Sequence, residues 1–318
     1  MRDKMLLAFV LPGLCSALSA TVNPPTVNLL QFLPMIPPLS PGDAATEALS
    51  VPGATLSAPI FVPALNALSV VDRGQQLIQS GATVVALPGT EVVAHALLAG
   101  SAIATSGGPS ASLACVLADK NTLAPLPLEG AAQLSSVSFV QQLSAARVLA
   151  GTSGGEVMLL SPESAPVPLL SWTGARITAA CVSADEKTLY LCSGGGVYVS
   201  TLDLDKGLCS MPELMASLGT DKGVVDIAVD VSGNVFTAGS EGVLVLDETG
   251  DVLLEVGTAE PVTGCCFSGS SASELVFTVG PTAWNLKTNT QGVRPATEEF
   301  LSYINKLAAQ GEYRHVGW

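Results

Sequence analysis

The sequence predicts an all-β chain, a six-bladed β-propeller of four-stranded blades, and three observations lead to this fold class. Residues 224–257, VVDIAVDVSGNVFTAGSEGVLVLDETGDVLLEVG, contain four short strands separated by turn residues. A similar pattern returns at intervals of roughly 36 to 47 residues, a period typical of propellers and repeat arrays. The 31 glycines and 21 prolines among 318 residues suit many tight turns better than long helices.

One repeat is legible in full between residues 224 and 257. The alternation of Ile227 and Val229 marks its first strand, and the turn at 232–234 leads into a second strand that ends at Gly239. A third strand at 243–247 and a fourth at 252–256 follow, separated by a turn. Four strands in a unit of this length are typical of one propeller blade.

Repeats of this kind cover most of the chain. They begin near Ser57, Val93, Ser136, Ile177, Val224 and Pro261. Residues 47–51 precede the first repeat and are predicted to close the ring against the last blade, because closure removes exposed sheet edges. The propeller is therefore expected over residues 51–293.

The N-terminus is typical of a signal peptide over residues 1–19. Arg2 and Lys4 precede an apolar run at 5–11, which small residues follow as far as Ala20. The run is short and is interrupted by Pro12 and Gly13, so no stable membrane span is expected. Secretion or delivery to an endomembrane lumen is the predicted localisation, with an organelle lumen or an uncleaved anchor as alternatives.

Two further segments flank the propeller. Residues 20–50 are rich in proline and combine a linker with the closing strand; their apolar part, LLQFLPMIPPL, is expected as a surface loop or as a segment packed on the domain or a partner. Residues 294–318 form a tail in which Thr297 can cap a short helix with an apolar face. That helix is expected to dock on the propeller, with partner binding as the alternative.

Charge and cysteine content exclude several functions. A net charge of −14, with only 13 scattered Lys and Arg residues, argues against a nucleic-acid surface. The seven cysteines are Cys15, Cys115, Cys181, Cys192, Cys209, Cys265 and Cys266. An exported chain could form disulfides, and Cys181 and Cys192 could face each other on neighbouring strands, but core packing is the preferred interpretation. A Cys/His zinc site is not expected, because CxxC pairs are absent and His95 and His315 are the only histidines.

Several phrases resemble one known family. Residues 183–190 (SADEKTLY) are similar to its "SPDGKTLY", residues 227–234 (IAVDVSGN) to "IAVDADGN", and residues 261–267 (PVTGCCF) to "PVTNCAF". Residues 147–152 are similar to "RLWAGT", and Ala58-Pro59-Ile60-Phe61 to "GPVW". On these phrases, residues 55–293 resemble the six-bladed propellers of the senescence-marker-protein, gluconolactonase and luciferin-regenerating-enzyme family.

The resemblance implies a specific site. Active members hold one divalent ion at the mouth of the channel and use it to hydrolyse lactones or esters. Transferred through the flanking matches, the family's Glu, two Asn and Asp ligands fall on Ser57, Ser138, Thr178 and Val225. None of these is a carboxylate or a carboxamide, whereas Ca²⁺ takes several oxygen ligands and lowering the pKa of a metal-bound water needs the metal's charge. The expectation is therefore no metal, no cofactor and no catalytic residue.

Asp226 is the one carboxylate beside these positions. A one-residue slip would bring it to the ligand position, but it would also reverse the inward and outward alternation of Ile227 and Val229. A bulge could re-aim Asp226 with less disturbance. A single carboxylate would still not complete the site.

The sequence thus predicts an exported, gluconolactonase-like propeller that has lost the hydrolase site and acts as a binding or scaffold module. The candidate ligand-binding residues at the channel mouth are Ser57, Ser138, Thr178 and Asp226, and a small neutral molecule or a protein is the expected partner. The alternative is a lactone or ester hydrolase with a rearranged site holding a cation such as Ca²⁺. A propeller of another family, built for protein interaction, is a further alternative.

Overall fold

The protein is described from a computed structural model. It describes residues 25–29, 39, 43–63, 66–72, 134, 137–162, 164–219, 223–294 and 302, together with six strands between residues 76 and 125. The predicted signal peptide lies outside the described residues, and so does the predicted C-terminal tail except for Arg294 and Ser302. No helix in the described part of the chain is both long and apolar enough to cross a membrane.

The described residues are built almost entirely from β-strands. The first ten are β1 (Thr26–Leu29), β2 (Thr46–Ser50), β3 (Leu56–Val62), β4 (Ala67–Asp72), β5 (Gln76–Gln79), β6 (Thr83–Ala86), β7 (Ala94–Leu98), β8 (Ala102–Ser106), β9 (Leu113–Leu117) and β10 (Thr122–Pro125). The next nine are β11 (Val137–Gln142), β12 (Val148–Thr152), β13 (Glu156–Ser161), β14 (Ser164–Ser171), β15 (Ile177–Val182), β16 (Thr188–Ser193), β17 (Gly196–Asp203), β18 (Leu208–Cys209) and β19 (Glu213–Ser217). The last seven are β20 (Asp226–Val229), β21 (Val235–Gly239), β22 (Gly242–Leu246), β23 (Val252–Gly257), β24 (Val262–Ser268), β25 (Glu274–Val279) and β26 (Thr282–Lys287).

These strands form six antiparallel sheets, which we number 1 to 6 along the chain. Sheets 1, 2 and 3 have the orders β3-β4-β5-β6, β7-β8-β9-β10 and β11-β12-β13-β14. Sheet 4 contains β15 to β19, sheet 5 has the order β20-β21-β22-β23-β1, and sheet 6 has the order β24-β25-β26-β2. Four sheets thus have the predicted four-stranded form, and sheets 4 and 5 carry a fifth strand. The all-β class and the propeller arrangement are confirmed.

The first strand of each sheet is its inner strand, and the inner strands contact one another in chain order. They are β3, β7, β11, β15, β20 and β24, and β24 also contacts β3. The N-terminal segment reinforces the end of this series, because β2 pairs with β26 and β1 pairs with β23. Sheet 6 is therefore completed by residues from the opposite end of the sequence.

Burial follows the position of each strand. The strands β12, β21 and β22 are buried at every residue, as expected for strands covered on both faces by neighbouring sheets. The inner strands β11 and β15 instead begin with alternating buried and partly exposed residues. This alternation gives each of these inner strands one face in the core and one face open to solvent.

A large buried cluster lies between sheets 5 and 6. Phe236 and Phe277 are at its centre, and the ring of Phe236 meets that of Phe267 edge-on at 5.0 Å between centroids. Leu39 belongs to this cluster and is 0% exposed, although it lies in the proline-rich segment. Of the alternatives expected for this segment, Leu39 follows packing on the domain and not the surface loop, which the sequence favours.

The segment after β26 crosses the far ends of three inner strands. The Val231 amide donates to the carbonyl of Gln291 at 2.8 Å, and the Val293 amide donates to that of Val229 at 3.0 Å. The Arg294 guanidinium then donates to the carbonyls of Gly269 and Ser270 and lies 5.6 Å from the centroid of the Phe61 ring. Sheets 5, 6 and 1 are held together at this end.

We expect Leu39→Ala to lower the free energy of unfolding by about 2 to 5 kcal/mol, because it leaves a cavity between sheets 5 and 6. Urea unfolding of the purified chain measures the change. Leu208→Ala is the matched control, since Leu208 is 58% exposed and its loss should change stability by no more than about 0.5 kcal/mol. Equal stability of the two variants would show that the proline-rich segment is not docked.

Candidate functional site at the channel mouth

Register shifts near the start of four inner strands lie at or beside residues with hydroxyl side chains. The pairing register shifts at Ser138 in β11, at Thr178 in β15 and at Thr263 in β24. In β3 the shift follows Ser57. In β11, β15 and β24 the bulge turns the hydroxyl residue itself out of the ladder. In β3, Ser57 stays paired with Val71 and the two residues after it leave the ladder.

Val225 occupies the corresponding position in sheet 5. Asp226 pairs with Ala238 as Ala179 pairs with Cys192 in sheet 4, so the residue before Asp226 corresponds to Thr178. The Val225 amide donates to the Ala238 carbonyl at 2.9 Å. We call Ser57, Ser138, Thr178, Val225 and Thr263 the mouth residues.

The four mouth hydroxyls make the same hydrogen bond. Each donates to a backbone carbonyl on the second strand of its own sheet: Ser57 Oγ to Val71 at 3.3 Å, Ser138 Oγ to Gly151 at 3.3 Å, Thr178 Oγ1 to Cys192 at 3.3 Å, and Thr263 Oγ1 to Thr278 at 3.1 Å. A hydroxyl carries one proton, so this proton is already committed to the backbone.

Two of these hydroxyls also reach the next sheet. Thr178 Oγ1 also lies 2.9 Å from the carbonyl oxygen of Val224, and Thr263 Oγ1 also contacts the carbonyl oxygen of Leu56, so each of these hydroxyls shares its one proton between two carbonyls. These acceptors directly precede the mouth residues Val225 and Ser57. The hydroxyls therefore link sheet 4 to sheet 5 and sheet 6 to sheet 1.

Asp226 lies between the inner strands of sheets 5 and 6. Its Oδ1 accepts the amide of Ile227 at 2.9 Å, and its Oδ2 accepts the amide of Cys265 at 3.0 Å. Burial raises the pKa of this carboxyl to about 6, although the two amide hydrogen bonds act to lower it. Ile227 and Val229 remain buried, so the one-residue slip is not found and Asp226 is not re-aimed to the mouth position.

The cysteines near Asp226 are free thiols. Cys181 pairs with Tyr190 and Cys192 with Ala179, so these two cysteines are not cross-strand partners, and their burial confirms the preferred interpretation of core packing. Burial raises the pKa of both thiols, and the nearby charge of Asp226 adds to the effect. The same two causes raise the pKa of Cys265 and Cys266. Thiols of this kind stay neutral at physiological pH and are poor nucleophiles and metal ligands.

The mouth residues differ in what they offer a ligand. The four hydroxyl residues are partly exposed, and Val225 is 40% exposed, an unusual value for a large apolar side chain at the start of an inner strand. Within the described ranges, no group of three or more His, Cys, Asp or Glu side chains could hold a metal ion. Neutral hydroxyls and a valine do not fit a hard dication, which prefers several carboxylate oxygens.

The site residues predicted from the sequence therefore do not all occupy equivalent positions in their sheets. Ser138 and Thr178 share one register position, and Ser57 makes the same kind of hydrogen bond from a paired position. Asp226 follows the corresponding position in sheet 5 and bonds to sheet 6. Thr263 completes the set and was missed, although it lies in the stretch 261–267 that carries the family resemblance. Its place just after the start of a repeat, as for Thr178, is the signal that could have found it.

Solved structures show which proteins share this fold. A gluconolactonase from Xanthomonas campestris superposes with a TM-score of 0.71 at 17% identity, over 86% of this chain and 99% of that chain. A calcium-binding protein, regucalcin, from Agrobacterium tumefaciens has a TM-score of 0.65 at 18% identity, over 80% and 97% of the two chains. A luciferin-regenerating enzyme has a TM-score of 0.65 at 15% identity, over 80% and 99%. At these identities the likeness is one of fold.

Sequence comparison adds a narrower finding. No curated protein matches the chain in sequence. Residues 144–280 match the family described as "SMP-30/Gluconolactonase/LRE-like region". This match spans sheets 4 and 5 and parts of sheets 3 and 6. Residues 144–280 therefore form an SMP-30/gluconolactonase/LRE-like region, and the resemblance found in the sequence is confirmed.

Proposed function

We propose that this chain is a gluconolactonase-like propeller that lacks the metal-dependent hydrolase site and acts as a binding module at the channel mouth. In this proposal the six sheets are six blades around an axial channel. One observation carries it: the positions at which the family resemblance expects Glu, Asn and Asp hold Ser57, Ser138, Thr178 and Val225.

Charge supports the proposal. A site for a dication needs several carboxylates close to the ion, and the mouth residues themselves provide none, with Asp226 as the one carboxylate beside them. Their hydroxyl protons are also donated to backbone carbonyls, so these side chains already have a structural role within their sheets. A water bound at this position has no metal charge to lower its pKa, and so it has no source of nucleophilic hydroxide.

A rearranged hydrolase site is the second candidate, and Asp226 is the observation that favours it. A carboxyl with a pKa near 6 is suited to exchange protons at neutral pH. Both oxygens of Asp226, however, accept backbone amides. The names of the similar structures, gluconolactonase and calcium-binding protein, describe those proteins, and we do not extend their activity to this chain.

Export belongs to the same proposal. The first described strand begins at Thr26, so removal of residues 1–19 would leave every described strand in place. The free thiols are compatible with an oxidising compartment, because burial protects Cys181, Cys192 and Cys265. A protein partner at the mouth is the alternative to a small molecule, and the 13 scattered basic residues still argue against nucleic acid.

We expect the wild-type chain to show no saturable thermal shift with Ca²⁺, Mn²⁺, Zn²⁺ or Mg²⁺ and no turnover of a simple aromatic lactone. The combined variant Ser57→Glu, Ser138→Asn, Thr178→Asn and Val225→Asp restores the family's ligand types. It should gain a Ca²⁺-dependent stabilisation, about 2.7 kcal/mol at a hundredfold excess over the dissociation constant. Differential scanning fluorimetry with a chelator control measures both chains.

A saturable Ca²⁺ shift in the wild-type chain, lost in Asp226→Asn and accompanied by lactone turnover, would refute the proposed function and support the rearranged hydrolase. Asp205→Asn is the matched control, because it removes the same charge from a side chain that is 98% exposed. Its metal response should equal that of the wild-type chain.

We expect Asp226→Asn to remove a pH-dependent loss of stability. The folded-state pKa of Asp226 is about 6, above its ordinary 3.8, so the stability that depends on its protonated form is complete below about pH 4 and is lost as the pH rises through 6. The difference in unfolding free energy between variant and wild type should change by at most about 3 kcal/mol between pH 4 and 7, in favour of the variant.

Urea unfolding at pH steps between about 4 and 7 measures this difference. Asp205→Asn again serves as control and should leave the pH profile of the wild-type chain unchanged. A constant difference between Asp226→Asn and wild type across this range would mean that Asp226 does not titrate as described.

A further inference from the structure

We propose that the channel mouth selects a small organic ammonium ion, a monocation with N–H donors and a short apolar group. This inference rests on the proposed binding function and replaces the neutral ligand expected from the sequence. It follows from which hydrogen-bonding groups the mouth still has to offer, from the sign of its charge, and from the exposed valine among the hydroxyls.

The mouth hydroxyls are acceptors only. Each hydroxyl proton is directed at a carbonyl oxygen, at 3.1 to 3.3 Å within its own sheet, and Thr178 and Thr263 have a second carbonyl in the next sheet. What remains on each oxygen is acceptor capacity, although the oxygen of Thr263 also lies 2.9 Å from Thr278 Oγ1. A ligand that accepts hydrogen bonds would compete with the backbone carbonyls for these protons, whereas a ligand that donates them could use the oxygens of four partly exposed residues.

The charge beside these hydroxyls is negative. Asp226 directly follows Val225, and its Oδ2 is bonded to Cys265, two residues beyond Thr263. Two amide hydrogen bonds leave further acceptor sites on an ionised carboxylate. Among the described residues Asp226 makes no ion pair, and its side chain is only partly buried, so a cation could approach the carboxylate from the side of Val225. An ammonium group would satisfy that charge with directed N–H bonds.

The surrounding titratable groups do not compensate Asp226. The four cysteines that interact with it, Cys181, Cys192, Cys265 and Cys266, are neutral because burial raises the pKa of each thiol. The Arg294 guanidinium interacts with Cys266 but is bound to the carbonyls that follow β24, at the opposite end of that strand from Thr263. Among the described residues, the charge of Asp226 beside the mouth therefore stays uncompensated at neutral pH.

The exposed apolar side chain of Val225 favours an organic ammonium ion over an inorganic cation as the ligand. Its side chain is 40% exposed among the hydroxyls and offers an apolar contact that a hydrated metal ion cannot use. A short alkyl chain on the ammonium would cover this surface at about 25 cal/mol per Å². One carboxylate also suits a monocation better than a dication, which prefers several carboxylates.

Three probes of matched size test the inference on the full chain: n-propylammonium chloride, n-propanol and tetramethylammonium chloride. At pH about 7.5, well above the pKa of Asp226, propylammonium should bind saturably with a dissociation constant on the order of 1 mM, seen by calorimetry and by a rise in melting temperature. Propanol lacks the charge and tetramethylammonium lacks the N–H donors, so each should bind at least about tenfold more weakly.

Variants locate the site. Asp226→Asn should weaken propylammonium binding by about tenfold or more, whereas Asp205→Asn, which removes the same charge from an exposed side chain, should leave it unchanged. If Asp226→Asn does not fold, the probe series on the wild-type chain still decides. No saturable binding of propylammonium, or equal binding of the three probes, overturns the inference.

The test separates this inference from the proposed function. Binding of propanol alone, weakened by Val225→Asp, would overturn the ammonium ligand and leave a binding module at the mouth. Saturable Ca²⁺ binding with lactone turnover would overturn the proposed function itself, whatever the amine result.

Discussion

Closure of the ring depends on the contact between the inner strands of sheets 6 and 1. A Cβ on Gly264 would lie 2.6 Å from the backbone nitrogen of Ala58 and 2.6 Å from Cδ of Pro59, closer than real side chains come. Glycine is therefore required at this contact. The neighbouring hydroxyl of Thr263 bonds to the carbonyl of Leu56 across the same seam. The positions of the mouth residues in these two sheets are thus fixed by the requirement that the ring close.

Residues at or beside the mouth also link other pairs of neighbouring sheets. Thr178 bonds to Val224 between sheets 4 and 5, and Asp226 accepts the Cys265 amide between sheets 5 and 6. In the family that the sequence resembles, these positions, or those beside them, provide metal ligands. Here the same side chains hold neighbouring sheets to one another.

The sequence predicts the repeated strands well, because strand alternation and turn chemistry are local. Residues 227–257 show this, since each predicted strand there is found within a residue or two of its position. Leu39 and β1 could not be predicted, because a proline-rich segment has no period and its burial depends on sheets far along the chain. The hydroxyl ring was predicted only in part, since Thr263 becomes equivalent to Thr178 only through pairing registers. The hydrogen bond between Asp226 and the Cys265 amide could not be predicted either, because Cys265 belongs to another sheet.

The ionisation of Asp226 affects both the stability of the fold and the proposed binding of a cation. Burial raises its pKa to about 6, so at neutral pH the folded chain holds a carboxylate that two amide bonds only partly compensate. A group kept in this state is more often found at binding or catalytic sites than in a structural core. A cation that pairs with the carboxylate favours its ionised form, which lowers its pKa and stabilises the fold. By linkage, proton release from Asp226 and cation binding at the mouth then promote each other to the same degree. The sheet seam that carries this carboxylate is therefore where a ligand can act on the whole ring.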